Sequence, residues 1–157
     1  MDESRIVYRR ATVWDAPAIA DMWELEMEEM QMLGRYCDAV EKEKFFVSLV
    51  TRIKTPDVNI VYVAEKDKKL ISFILGYIYR NNYGSSDLIG FCEHRYVYPE
   101  YRKTKVATKL LAILKDMGIR MGAEQFEFVV PYREGLVKVY KRMGYNPVQI
   151  IFRKEGI

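Results

Sequence analysis

The stretch from Leu88 to Met121 constrains this chain most. Residues 88–97 (LIGFCEHRYV) are rich in β-branched and aromatic side chains and read as a strand. A tight basic turn follows, YPEYRKTK. From about Thr104 to Met121 the apolar positions Val106, Leu110, Ile113, Leu114, Met117 and Met121 keep the period of a helix, and Gly122 ends it. Residues 124–130 (EQFEFVV) are again strand-like. A strand, a short turn, an amphipathic helix and a further strand make a unit that needs a sheet to pack on.

The rest of the chain supplies that sheet. RIVYRRAT alternates apolar and polar residues as a first strand. Thr12 or Asp15 can cap the helix that follows, with Pro17 in its first turn. Ile19, Trp23, Met27, Met30 and Leu33 form its apolar stripe, and Gly34 closes it. A second helix is expected over 41–53, stopped by Thr55-Pro56. Residues 58–65 and 70–79, joined by the charged turn KDKK, read as a hairpin, and NNYGSS as a loop. REGLVKVYKRM is a short helix closed by Gly144, and NPVQIIFRK a last strand. The expected class is a mixed α/β domain spanning residues 1–157, antiparallel in its front half and strand–helix–strand in its back half.

Composition excludes several classes. Half of the residues are apolar and the net charge is only +3, without a basic tail, so a general nucleic-acid surface is not demanded. No apolar run reaches the length of a bilayer span, and MDESRIVYRR lacks the apolar core of a signal peptide. Cys37 and Cys92 are far apart and match no metal or redox spacing. The expectation is a cytoplasmic protein with reduced thiols, no metal and no membrane partner.

The basic turn itself suggests an anion. A helix N-terminus presents unpartnered backbone N–H groups and a partial positive charge, which suit phosphate. Arg102, Lys103 and Lys105 add cations and Thr104 a hydroxyl. The alternative is a capped helix start with solvated basic residues.

In this context the turn resembles the acyl-CoA-binding signature of the GNAT superfamily of N-acetyltransferases. That signature runs valine, any, proline, any, any, arginine or glutamine, any, any, glycine, any, glycine or alanine. Val97, Pro99, Arg102 and Ala107 fall at the matching places. Tyr140, followed by Gly144 and Tyr145, is similar to the tyrosine, three residues, glycine, aromatic motif that closes these domains. The order of elements matches over nearly the whole chain. The resemblance implies a mostly antiparallel central sheet flanked by helices, with two parallel strands splaying at the cofactor site. It implies that acetyl-CoA is the co-substrate, with its pyrophosphate on the backbone of residues 102–107 (Arg102, Lys103, Thr104, Lys105, Val106, Ala107). The pantetheine arm would pair with the strand edge at Tyr96, Val97 and Tyr98, as an added strand does.

Two positions depart from the pattern. Lys105 replaces the first glycine of the signature, so a side chain stands where the backbone would approach the pyrophosphate, or its ammonium pairs with a phosphate. Arg133 stands where many members carry asparagine, as a further phosphate partner or as a surface residue.

Acetyl transfer to an amine needs a base, a donor for the charge that builds on the thioester oxygen, and an acid for the leaving thiolate. The resemblance makes Tyr140 the acid and a backbone N–H at or near Val97 the donor. Glu93 is the candidate base, on Val97's face of the strand by strict alternation; His94, the one histidine, is a second candidate on the opposite face, or else a structural residue. Glu24, Glu26, Glu28 and Glu29 on the first helix would make an acidic wall suited to a cationic amine, or else a solvated helix face. The expected function is N-acetylation of a small-molecule or protein amine, with a homodimer as an expected assembly. The rivals are a non-catalytic acyl-CoA-binding domain, which Lys105 favours, and a nucleic-acid or protein interaction module.

Overall fold

The computed structural model describes residues 5–32, 41–81, 87–129, 134–142 and 144–147. The expected strand over NPVQIIFRK lies almost wholly outside them, as do Gly34, Cys37, Val130 and Arg133. The described elements run β1 (Ile6–Arg10), α1 (Ala16–Met32), α2 (Lys42–Lys54), β2 (Asn59–Lys66), β3 (Lys69–Arg80), β4 (Leu88–Val97), α3 (Val106–Arg120), β5 (Gln125–Phe128) and α4 (Glu134–Arg142). The sheet order is β1-β2-β3-β4-β5. The first three pairings are antiparallel and β4–β5 is parallel, so the sheet is mixed, as the sequence pattern implied.

Helices cover both faces. Against α1 and α2 lie Val61 and Val63 of β2, Phe73 and Leu75 of β3 and Tyr96 of β4, closed over by Ile19, Met22 and Leu49. Against α3 lie Ile60, Ala64, Ile74 and Cys92, closed over by Val106, Leu110 and Leu114. Those three α3 residues are spaced four apart and stack on one stripe. Each is almost fully removed from water, which contributes about 1.5–3 kcal/mol per side chain. Gly76 of β3 lies beneath the stripe: a Cβ there would come 2.7 Å from Leu114 Cδ1 and 2.5 Å from the Phe91 carbonyl oxygen.

Two local features shape the sheet. The hairpin turn between β2 and β3 places Asp67 and Lys68 at φ of 49° and 65°, both in the left-handed region of a type I′ turn. In β4, His94 pairs with Leu75 and Cys92 with Gly76, so Glu93 is an extra residue without a partner on β3. This β-bulge shifts the side-chain alternation by one position. Before it, Cys92 faces α3; after it, Val97 faces α3 and Tyr96 faces α1.

The start of α1 is fixed electrostatically. Asp15 accepts hydrogen bonds from the Thr12 N–H (2.7 Å) and hydroxyl (2.9 Å), and from both terminal nitrogens of Arg9 (2.8 Å each). Arg9 also donates to Glu65 on β2. The Arg9 contact, aided by Thr12 and opposed by burial, holds the Asp15 carboxyl down to about 2.

Candidate active site

The bulge sets the geometry of the site. Glu93 and His94 do not point to opposite faces, and Glu93 does not share the face of Val97. With the extra residue inserted, Glu93 and His94 both turn toward α1 and α2, where they line one cavity of about 310 Å³. Its other walls are Trp23 of α1, Glu41, and Lys44, Phe45, Ser48 and Arg52 of α2. Trp23 and Phe45 stack face to face (centroids 4.2 Å apart), and the His94 ring stands edge-on to both. Glu93 takes a two-pronged ion pair from Arg52. His94 Nε2 lies 3.9 Å from Glu93 Oε1, and its Nδ1 lies 3.3 Å from Glu26 Oε2. That second oxygen is buried and makes no aligned hydrogen bond.

Among the described residues, parallel pairing with β5 reaches Cys92 and Phe128 while β4 runs on to Val97, and this further stretch of β4 is the opening. Side chains meet the backbone there: Glu26 Oε1 accepts from the Arg95 N–H (3.2 Å), and Arg102 Nε donates to the Val97 carbonyl (2.9 Å). The Tyr140 ring packs on Phe128 (4.7 Å) and Tyr145. Its phenolic oxygen accepts a 2.8 Å hydrogen bond from the Arg95 guanidinium, which also lies over both the Phe128 and Tyr140 rings. Arg95, with Tyr140 of α4 bonded to it, thus lies on the α3 side of β4, and the Glu93–His94 corner lies on its α1/α2 side. Cys92 is no nucleophile, because burial pushes its thiol up to about 11.

The basic turn divides into groups that face it and groups that do not. The Arg102 side chain turns away from it, hydrogen-bonded to Glu29 of α1 and over the Tyr96 ring (5.3 Å). Tyr96 is buried in the α1/α2 core, Val97 packs toward α3, and Tyr98 stands edge-on to Tyr96. The Thr104 hydroxyl donates to the Tyr101 carbonyl and accepts from the Val106 N–H, capping α3 from within the chain. The first intrahelical bond of α3 runs from the Lys109 N–H to the Lys105 carbonyl, so the N–H groups of Ala107 and Thr108 have no partner inside the helix. Lys103 and Lys105 are exposed. Lys105 has φ −81° and ψ 6°, a right-handed conformation that any L-residue adopts, so the missing glycine leaves the backbone unstrained.

The four glutamates of α1 form no common wall. Glu24 pairs with Lys42, Glu29 with Arg102, and Glu26 reaches β4. None lines the cavity. Pattern reading missed Arg95, Arg52 and the seat of Glu26. Among the described residues no group of three or more His, Cys, Asp or Glu side chains is placed to hold a metal ion. No helix among them is long and apolar enough to cross a membrane.

Comparison with known proteins places this geometry. Residues 19–145 match the Acetyltransferase (GNAT) family. Among solved structures, the chain is similar to a predicted acetyltransferase with acetyl-CoA from Clostridium acetobutylicum, with TM-score 0.76, 14% identity and coverage of 96% of each chain. It is similar to glucosamine-6-phosphate N-acetyltransferase from Arabidopsis thaliana, with TM-score 0.69, 16% identity and coverage of 95% of this chain and 97% of that one. A third is an aminoglycoside acetyltransferase from an uncultured soil metagenomic sample, in complex with sisomicin, with TM-score 0.70, 13% identity and coverage of 99% and 98%. With four-fifths of its length matched to the family, the chain belongs to the GNAT acetyltransferase family.

Proposed function

We propose that this protein moves an acetyl group from acetyl-CoA to a primary amine, by direct transfer across the opening between β4 and β5. The observation that carries the reading is Tyr140, held at that opening by Arg95 and backed by Phe128. Acetyl-CoA supplies the activated acyl group and a thiolate leaving group. The chain's part is to hold it, to accept a proton from the amine and to return one to the sulfur. The exposed N-terminus of α3, with the Ala107 and Thr108 N–H groups, Lys103 and Lys105, suits a pyrophosphate. Arg102 is committed to Glu29 and the Val97 carbonyl and adds little there unless α1 releases it.

Tyr140 is the proton donor. Because Arg95 donates to the phenolic oxygen, the O–H hydrogen remains available for donation and the charge left behind is met by a guanidinium. Proton acceptance from the amine belongs to the Glu93–His94 corner, where the His94 ring lies between the Glu93 and Glu26 carboxylates. Glu93, already tied to Arg52, gives the incoming ammonium a seat. Acetylation of a protein amine and of a small-molecule amine are both compatible with this geometry.

Acetyl-CoA should raise the melting temperature saturably, because a ligand of the folded state stabilises it by mass action. Thiol release should then appear with an amine acceptor. Tyr140→Phe should slow turnover by about a hundredfold with little change in acetyl-CoA affinity. An unshifted melting temperature at millimolar acetyl-CoA would reject the cofactor, and unchanged turnover in Tyr140→Phe would remove Tyr140 from the chemistry.

A further inference from the structure

A second cavity, of about 430 Å³, adjoins the first, and the two share Ser48 and Arg52. Their charges differ. The first holds two carboxylates, Glu41 and Glu93, each ion-paired to a cation on its own wall, Lys44 and Arg52 respectively. Among the described residues, the second is lined by no carboxylate, and the one formal charge in its lining is Arg52, whose guanidinium lies 5.7 Å from the Tyr77 ring centroid. Arg52 therefore stands in the wall between an acid-bearing chamber beside His94 and a chamber whose described lining is positive.

The Arg52–Glu93 pair is half-buried, with side-chain exposures of 27% and 28%. An amine that settles on Glu93 competes with Arg52 and leaves the guanidinium without its counter-charge, which is costly at such a site. An acceptor that brings its own anion avoids that loss: its ammonium replaces Arg52 at Glu93, and its anion replaces Glu93 at Arg52. A polycation does not make up that loss, since none of its charges can serve as the counter-charge of Arg52. We infer that the acceptor is a zwitterion, an amine carrying its own carboxylate or phosphate, with the amine beside Glu93 and His94 and the anion on Arg52 in the second chamber. This rests on the acetyltransferase reading above and names the substrate class for it.

The test measures thiol release by the full chain with acetyl-CoA and matched amines. Phenethylamine against phenylalanine reads a carboxylate, ethanolamine against phosphoethanolamine reads a phosphate, and spermidine reads a polycation. In at least one pair the anion-bearing amine should exceed its partner in kcat/KM by about tenfold to a hundredfold, the range expected for a hydrogen-bonded charge contact. Spermidine should be the poorest acceptor. Arg52→Met should bring the favoured ratio to within about twofold of unity, and Arg52→Lys should leave it in between. Comparing both members of a pair on one variant cancels the folded fraction, and comparing variants on one pair cancels amine basicity. A preference for anion-free amines or spermidine overturns the inference, as does a ratio that survives Arg52→Met. Saturable acetyl-CoA binding with no thiol release from any amine also counts against it. Failure to bind acetyl-CoA at all would instead strike the underlying acetyltransferase reading.

Discussion

Arg95 is held at two places. Its backbone N–H is taken by Glu26 of α1, and its guanidinium by the Tyr140 oxygen and the Phe128 face. One residue thus ties α1, β4, β5 and α4 together around the opening. If its task is to place the phenol, Arg95→Met should lower kcat by about tenfold or more while the KM for acetyl-CoA stays nearly constant, since small misplacements of a reacting group cost rate steeply. Steady-state kinetics paired with a urea melt separate this from a packing role, in which stability would fall and kcat would not. Lysine should not rescue it, because an ammonium lacks the flat fork that both donates and stacks. Neither partnership was legible in the sequence. Glu26 and Tyr140 lie 69 and 45 residues from Arg95, and periodic patterns report neighbours along one element only. The family resemblance singled out Tyr140 through its spacing from Gly144; the arginine that holds its phenol lies outside any such pattern.

At the scale of elements, pattern reading did best where one period holds throughout. β4 was bounded at its observed ends, and α3 lies within the expected helix because its stripe never breaks. The hairpin was expected with a four-residue KDKK turn. In the structure Lys66 and Lys69 are the paired strand ends, and only Asp67 and Lys68 form the turn. Both sit at positive φ without glycine, which leaves room for improvement. The double change Asp67→Asn, Lys68→Gly supplies the residue types that such a turn favours. It should stabilise the protein by about 0.5–1 kcal/mol, read as a higher denaturant midpoint with an unchanged slope. What misled the reading of β4 was its bulge. Alternation assumes one residue per step, and a backbone that spends two residues where its partner spends one leaves no mark in hydrophobicity.

For the molecule as a whole, two cores share one sheet, and the outer edge of that sheet is tied to the first helix by the Arg9–Asp15–Glu65 cluster. The order of elements and the mixed sheet followed from the sequence, because each segment's period agrees with the layer it enters. Which faces the charges meet did not, because ion pairs join distant segments. The Asp15 carboxyl is held down to about 2, below its ordinary value of 3.8. A depressed carboxyl adds stability that is complete above its unfolded value and is lost as pH falls toward its folded one. Wild type should therefore exceed Asp15→Asn by about 1–2 kcal/mol at neutral pH. That gap should close between about pH 4 and pH 2 in urea melts, and a gap that persists at pH 2 would show that the Asp15 charge is not its source.

The extra residue at Glu93 makes β4 behave like a message read in two frames. Up to Cys92 even-numbered residues belong to the α3 side; from His94 onward they belong to the other. Deleting this single residue would restore plain alternation after Cys92 with the same β3 partners, so His94 and Tyr96 would stay on the α1 and α2 side and Arg95 on the α3 side, and only the Glu93 carboxylate would leave the cavity. The extra letter moves none of its neighbours; it doubles one, setting Glu93 and His94 side by side on a face where plain pleating allows a single side chain.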